Sequence, residues 1–247
     1  MKLRPVLLPL AVVLCWFVVS KSGLIPAILL PDPASVFKRL FVLVFTGEIF
    51  PDLMATVATV FIGFTISVVL GIAIGLVMGT SRFFHDTTGF SVDFFRSIPA
   101  TALFPLFLIV LGVGDRANIA LTAFPCVWIM TINTMYGVRN SSKVRKQIAK
   151  VLKASPAQQF FRVTLPDAAP YVVTGMRLSI AIALHMAIVA EMFTGTLEGL
   201  GRRIFDAQML LRIPDMFALI ILTGILGYCL NKIWLVLEHR LVHWAGK

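Results

Sequence analysis

Two ionisable side chains, His185 and Glu191, lie within the apolar run IAIALHMAIVAEM. An ionisable group in hydrocarbon costs about 2.5 to 3.5 kcal/mol on insertion scales, so it needs a compensating partner or a role. A spacing of six residues does not place the two side chains on one helical face, so they need not touch. Glu191 therefore either belongs to a structural polar network near the end of its span or lines the gate of a solute path. His185 is interpreted as a hydrogen-bonded interior residue in preference to a ligand.

A second polar cluster consists of Thr131, Asn133 and Thr134. Their hydroxyl and amide groups suit either hydrogen bonds between helices or contact with a small polar solute. Thr131 and Thr134 are three residues apart and share a helical face. We predict that this cluster, together with His185 and Glu191, lines a solute pathway.

Motifs for bond chemistry are missing from the sequence. It contains no phosphate loop of the form G-x-x-x-x-G-K-[ST], no nucleophile with a partnered base and no metal-ligand spacing. Its three cysteines fall in apolar runs, where they act as small apolar side chains. We therefore predict a chain that is not an enzyme and binds no metal or cofactor, so that any ATP and Mg²⁺ would be bound by a partner.

The elements that position these residues are long apolar helices. With 58% hydrophobic and 14% charged residues, the 247-residue chain is far more apolar than a soluble domain. A helix needs about 20 apolar residues to cross a bilayer. The sequence predicts an all-α fold, a single domain over 1–247 that forms a polytopic membrane bundle of about six transmembrane helices. These are expected near 5–20, 53–79, 98–112, 117–138, 168–194 and 214–237.

The distribution of Lys and Arg predicts the topology. If both termini are cytoplasmic, most basic residues lie on the inner side, Arg82 and Arg96 among them, mainly because of one loop. We predict a multi-pass protein of the bacterial inner membrane. Its net charge of +10 is assigned to contact with anionic membrane lipid, and no nucleic-acid partner is expected. The first apolar segment is read as a span, with a cleaved signal peptide as the alternative.

The inner loop at 139–166 carries the main functional signal, and we call it the coupling loop. Ile148, Val151, Leu152 and Ala154 form an apolar stripe at helical spacing beside lysines. Ser155 followed by proline predicts a capped start of a second short helix, which would present Phe160 and Phe161 and stop before Pro166. The segments at 21–52 and 195–213 are expected on the outer side.

This loop resembles a known pattern. The permease subunits of bacterial ATP-binding-cassette importers carry E-A-A-x3-G-x9-I-x-L-P in their cytoplasmic loop. Here the same positions follow without a gap and are occupied by Gln147, Ile148, Ala149, Lys153, Val163, Leu165 and Pro166. The stretches LLPDPASVFKRL, RSIPATALFPLFLIVLGVGD and GLGRRIFDAQ resemble the nitrate, sulfonate, taurine and bicarbonate branch.

The resemblance implies a type I importer permease that translocates a small solute, such as a sulfonate, nitrate or bicarbonate, by alternating access. It implies two ATPase subunits, a second permease chain and a periplasmic solute-binding protein as partners. A lipid-bound amphipathic loop is the alternative to ATPase docking. An ion-coupled carrier that uses Glu191 and His185 is the alternative to the importer. The residues assigned to ATPase coupling are Gln147, Ala149, Leu152, Lys153, Ala154, Ser155, Phe160, Phe161, Leu165 and Pro166.

Departures from the family pattern point to a possible asymmetric pair. Gln147 stands where the family usually has Glu, Lys153 where it has Gly, and Thr59 where this branch has Arg. One hypothesis is a heterodimer with a permease chain that keeps the full pattern, and a homodimer is the alternative. Gly71, Gly75 and Gly79 recur every four residues and predict close helix packing, with a flexible hinge as the alternative.

Overall fold

The computed structural model describes residues 4–26 and 28–244, and within these ranges every regular element is helical. The all-α prediction is confirmed. The helices are α1 (Arg4–Lys21), α2 (Pro33–Phe45), α3 (Phe50–Thr80), α4 (Arg82–Ser97), α5 (Phe104–Leu111, preceded by a 3₁₀ turn at Ala100–Leu103), α6 (Asp115–Arg139), α7 (Lys143–Val151), α8 (Pro156–Gln159), α9 (Leu165–Phe193), α10 (Leu200–Met209) and α11 (Ile213–Leu241).

Four helical stretches in the described part of the chain are long and apolar enough to cross a membrane: α3, α6, α11 and the continuous element Pro156–Phe193. A fifth span is possible if α4 and the segment Ala100–Leu111, which meet at 86°, count as one. The apolar helix at the start of the chain, Leu7–Lys21, is shorter. The structure thus supports four or five of the six expected spans in the described part of the chain, and the expected first span is a shorter apolar helix.

Helices α3 and α6 pack closely along the glycines of α3. A Cβ atom on Gly75 would lie 2.5 Å from the Thr131 carbonyl oxygen, and one on Gly79 would lie 2.6 Å from the Val138 Cβ. Any side chain on these glycines would therefore push the two helices apart. The contacts support the packing interpretation of the glycine ridge, and Gly63 extends it by two further turns, with a Cβ position 2.9 Å from Thr122.

Helix α9 is the central element, because it packs against α3, α6, α10 and α11. One apolar core joins α3, α6, α9 and α11 around Val60, Cys126, Ala183 and Leu230. A second core joins α2, α10 and α11 around Val36, Leu200 and Leu219. The residues before and after α9 therefore lie at opposite ends of the bundle, about 42 Å apart by helical rise.

Candidate functional site

The coupling loop is a folded corner between α6 and α9. Ser142 caps α7, since its hydroxyl accepts a hydrogen bond from the Arg145 N–H. At the other end of α7 the Ala154 N–H donates to the Ala149 carbonyl and the Lys153 N–H to the Lys150 carbonyl, both at 3.0 Å. This pair of bonds is a Schellman motif, whose turning residue is usually glycine. Here that residue is Lys153, with φ of 53°.

The predicted cap at Ser155 is confirmed. Its hydroxyl accepts from the Gln158 N–H while the Gln158 side chain accepts from the Ser155 N–H, which together form a capping box. The second short helix does not stop before Pro166, so that part of the prediction is wrong. A π turn at Phe160–Thr164 follows α8 and leads directly into α9, with the Leu165 N–H bonded to the Phe160 carbonyl. The i→i+5 hydrogen bond of the π turn widens the helix just before Pro166, and the chain continues as a helix.

The outer surface of the coupling loop is apolar and uncovered. Val151 is 82% exposed, Leu152 75% and Phe161 64%. The Phe160 ring is half-buried and meets the Phe161 ring edge-on, with centroids 5.2 Å apart. The other residues assigned to coupling divide into exposed Gln147, Lys153 and Ser155, half-buried Ala154, Leu165 and Pro166, and buried Ala149.

A single carboxylate, Asp167, ties the coupling loop to α9. Its side chain accepts from the Ser142 N–H at 2.9 Å and pairs with the Arg145 guanidinium at 3.0 Å. The Asp167 side chain is only 7% exposed, whereas the Arg145 side chain is 65% exposed, so the carboxylate is shielded from water and the guanidinium is not. Sequence reasoning missed Asp167, although an acidic residue in the first turn of a helix after proline is a recognisable signal.

Glu191 lies at the opposite end of α9 and is almost fully buried. Its carboxylate accepts from the Thr56 hydroxyl and the Gly201 N–H, both at 2.9 Å. The Thr56 hydroxyl in turn accepts from the Leu200 N–H. Glu191 thus joins α3, α9 and the start of α10, as the structural-network alternative predicted.

Ion pairs extend this network towards the surface. The Arg203 guanidinium donates to Asp52 at 2.6 Å and also pairs with Glu48. The Asp52 carboxylate accepts from the Gly199 N–H at 3.1 Å. We call Asp52, Thr56, Glu191, Gly201 and Arg203 the carboxylate network.

A neighbouring pair links α2 to α11. Arg39 donates to Asp215 at 2.6 Å. The hydrogen bond to Asp215 raises the pKa of the Arg39 guanidinium above its ordinary value, so this cation stays charged. Nothing in the sequence pattern pairs these residues, which are 176 positions apart.

The predicted pathway cluster on α6 does not form an open surface. Thr131 and Thr134 are fully buried against the glycine ridge of α3, so their hydroxyls face a helix and not a cavity. Asn133 is half-buried, donates to the Ile129 carbonyl of its own helix and packs against Gly175 of α9. The structure does not bring these residues together with His185 or Glu191 at one surface.

His185 is exposed, which contradicts the interior interpretation, because it lies on the α9 face turned away from α6. It lines a cavity of about 570 Å³ between α9 and α11, whose wall is otherwise mainly aliphatic. Glu191 is not part of that wall.

Comparison with known proteins gives a consistent result. The profile of the family described as binding-protein-dependent transport system inner membrane component matches residues 67–243. The putative aliphatic sulfonates transport permease protein SsuC of Bacillus subtilis (strain 168) is 30% identical over 244 residues, covering 99% of this chain and 88% of its own length. The bicarbonate transport system permease protein CmpB of Synechococcus elongatus is 30% identical, covering 94% and 87%. The nitrate import permease protein NrtB of Synechocystis is 29% identical, covering 86% and 80%.

Solved structures share the fold. An inward-facing conformation of the MetNI methionine ABC transporter aligns with a TM-score of 0.67 at 18% identity, over 77% of this chain and 94% of that chain. An amino acid ABC transporter crystallised with histidines aligns with a TM-score of 0.68 at 16% identity, over 82% and 98%. The all-helical bundle is therefore of the importer-permease type.

Proposed function

Because the chain belongs to the family of binding-protein-dependent transport system inner membrane components, we propose that it carries a small anion across a bacterial inner membrane by alternating access. It is a permease component of an ABC importer, and no catalytic role is assigned to it. The relatives are named for aliphatic sulfonates, nitrate and bicarbonate, and these names support an anionic solute.

The observation that carries the coupling role is the uncovered apolar surface of the coupling loop. Val151, Leu152 and Phe161 are large side chains held out by a capped corner, and burial of such anchors in a partner's groove supplies most of the energy of a typical interface. Helix α7, which leads to Val151, also carries Lys143, Lys146 and Lys150, and these positive charges would speed the approach of an acidic partner surface. We assign this surface to docking of an ATPase subunit.

The proposed assembly contains two permease chains, two ATPase subunits that bind ATP and Mg²⁺, and a solute-binding protein on the outer side. Both termini of this chain would then be cytoplasmic, and lipid would cover the remaining apolar surface. ATP and solute must favour different conformations for the cycle to be driven. The second permease chain is either another copy or a chain that keeps the full loop pattern.

An ion-coupled carrier is not proposed. Such a carrier would need Glu191 and His185 as relay groups. Glu191 is held by Thr56 and Gly201, whereas His185 faces an aliphatic cavity on another surface of α9.

The docking assignment is tested by replacing Val151 or Phe161 with Asp and measuring how much ATPase subunit co-purifies with the permease. We expect a loss of more than about tenfold, the effect of removing one interface anchor. Solute uptake should fall in parallel. Leu197→Asp is the matched control, because Leu197 is 98% exposed but follows the far end of α9. Equal ATPase recovery from Phe161→Asp and the control would refute the assignment.

A further inference from the structure

Helix α4 carries exposed phenylalanines together with polar side chains that border cavities. Phe83 and Phe90 are more than 70% exposed, and Phe94 is exposed as well. The polar side chains His85, Asp93 and Arg96 instead line cavities between α4 and the neighbouring helices α3 and α6. The buried side chain of α4 is the apolar Val92, whereas Arg96 is 53% and Asp93 67% exposed, so these two charged groups line the cavities at their open side.

The polar end of α4 lies far from either end of the bundle. Arg96 shares one cavity with Phe124, Trp128 and Ile132 of α6, and the Phe95 ring stacks on the Trp128 ring with centroids 5.5 Å apart. Trp128 is about 20 Å along α6 from its first residue, close to the middle of a helix of about 37 Å. Sequence reasoning put Arg96 at the inner flank, and the structure places it beside the middle of α6.

Two adjoining cavities meet at Arg96. One, of about 390 Å³, lies against α6 and includes Ser97 and Ile182 of α9. The other, of about 140 Å³, includes His85 and Asp93. The His85 Nδ1 atom is buried and has no hydrogen-bond partner among the described residues. A buried ring nitrogen in a polar cavity is the kind of group that water or a solute satisfies.

The Arg96 guanidinium is only partly neutralised. Its Nε donates to the Asp93 carboxylate at 2.8 Å, and within residues 4–26 and 28–244 no other ion pair involves it. The terminal nitrogens can therefore still donate to an oxyanion in a two-point arrangement. The adjacent carboxylate weakens the attraction, which favours release of a passing anion over tight retention.

An ionised pair at mid-depth is costly unless it faces water, and intramembrane ionisable groups typically mark solute paths. We propose that His85, Asp93 and Arg96, which line these cavities, border a water-filled passage and that Arg96 is the residue that favours anions there. This inference rests on the proposed function, whose small anion it locates. Helix α4 then replaces the threonine cluster of α6 as part of the pathway wall.

The test measures the charge preference of the passage directly, with small thiol reagents. Cys15, Cys126 and Cys229 are first replaced by alanine, and Ser97→Cys is introduced, since Ser97 is exposed and borders the larger cavity. Labelling rates are compared for an anionic reagent, 2-sulfonatoethyl methanethiosulfonate, and a cationic one, 2-trimethylammonioethyl methanethiosulfonate. We expect both reagents to react and the anionic one to have the higher rate relative to free cysteine in solution.

Three variants of α4 are expected to change the anion-over-cation labelling ratio in different ways. Arg96→Gln should lower the anion-over-cation ratio by about tenfold, because one nearby charge attracts one reagent and repels the other. Asp93→Asn should raise the ratio. Arg82→Gln is the matched control, since it removes the same charge from the same helix about 21 Å away, and should leave the ratio within about twofold.

The labelling results distinguish the anion preference of Arg96 from the existence of the passage. A ratio that is unchanged by Arg96→Gln would overturn the anion role, and failure of both reagents to react at position 97 would show that Ser97 faces lipid and overturn the passage. If Arg96→Gln fails to fold, the rise expected from Asp93→Asn still decides the question. The labelling needs neither ATPase nor nucleotide, so a negative result would leave the permease role untouched.

Discussion

The two ends of α9 are built in opposite ways. At one end the carboxylate network buries Glu191 and Asp52 among N–H, hydroxyl and guanidinium donors from three helices. At the other end the coupling loop exposes Val151, Leu152 and Phe161, and the Asp167 carboxylate ties it to α9. At the first end one Glu191 oxygen and the Asp52 carboxylate find donors within the chain, whereas the second end presents exposed apolar surface.

This contrast indicates which end contributes to the stability of the fold and which end is available for binding. Buried donors that share one carboxylate oxygen favour one arrangement of helices, because a displacement would leave the Thr56 hydroxyl and the Gly201 N–H without an acceptor. An exposed apolar surface breaks few contacts when it moves, and its burial against a partner is favourable in free energy. The difference predicts that substitutions at the two ends change different properties: stability of the fold at the carboxylate network and partner binding at the coupling loop.

The largest effect should come from Glu191→Ala. It leaves the Thr56 hydroxyl and the Gly201 N–H without an acceptor in a buried site, at about 1–3 kcal/mol for each group. Thermal unfolding in detergent should show the loss as a lower Tm. Glu198→Ala is the control, because Glu198 is exposed and lies near the same helix end. A Tm equal to that of the control would mean that the carboxylate network does not hold α3, α9 and α10 together.

A smaller effect is expected from Asp167→Ala. The change frees the Ser142 N–H and Arg145, and the coupling loop should open locally at a cost of about 1–3 kcal/mol. Trypsin should then cut the loop at its lysines and arginines several-fold faster while the Tm of the whole bundle changes less than in Glu191→Ala. The exposed pair Arg202–Asp206 supplies the control variant, Asp206→Ala. Unchanged loop cleavage would show that the loop is held by other contacts.

The smallest effect should be a gain from Lys153→Gly. A non-glycine residue at φ of 53° destabilises the fold by about 1–2 kcal/mol. Glycine removes this strain but loses more conformational entropy on folding. We therefore expect the free energy of unfolding to rise by about 0.5–1 kcal/mol. Leu211, at φ of 54° in the corresponding turn after α10, should respond with the same sign. Lys150→Gly, within α7, should instead lose about 1 kcal/mol. A destabilised Lys153→Gly would show that the lysine side chain itself supports the corner.

Local signals were readable from the sequence, and contacts between distant segments were not. The Ser155 cap, the glycine ridge and the long apolar helices follow from spacing within one helix. The pairing of Asp52 with Arg203, 151 positions later, follows from how α10 folds back on α3. The glycine ridge predicted a closely packed neighbour, but periodicity alone does not say that the α6 face with Thr131 and Thr134 is the one that meets it.

The depth of Arg96 was hidden for a different reason. Counting charges at the ends of apolar runs assumes straight helices that cross the membrane fully. The bend of 86° between α4 and Ala100–Leu111 breaks that assumption, because the two segments do not form one straight span.

The uninterrupted helix Pro156–Phe193 has a mechanical consequence. Its 38 residues make a rod of about 57 Å whose far end is pinned at Glu191. A tilt of about 5° around that pin would carry Phe161 sideways by roughly 4 to 5 Å, which is close to the rise of one helical turn. A rotation of this size would displace the exposed apolar surface of the coupling loop by several ångströms while the helix Pro156–Phe193 stays folded.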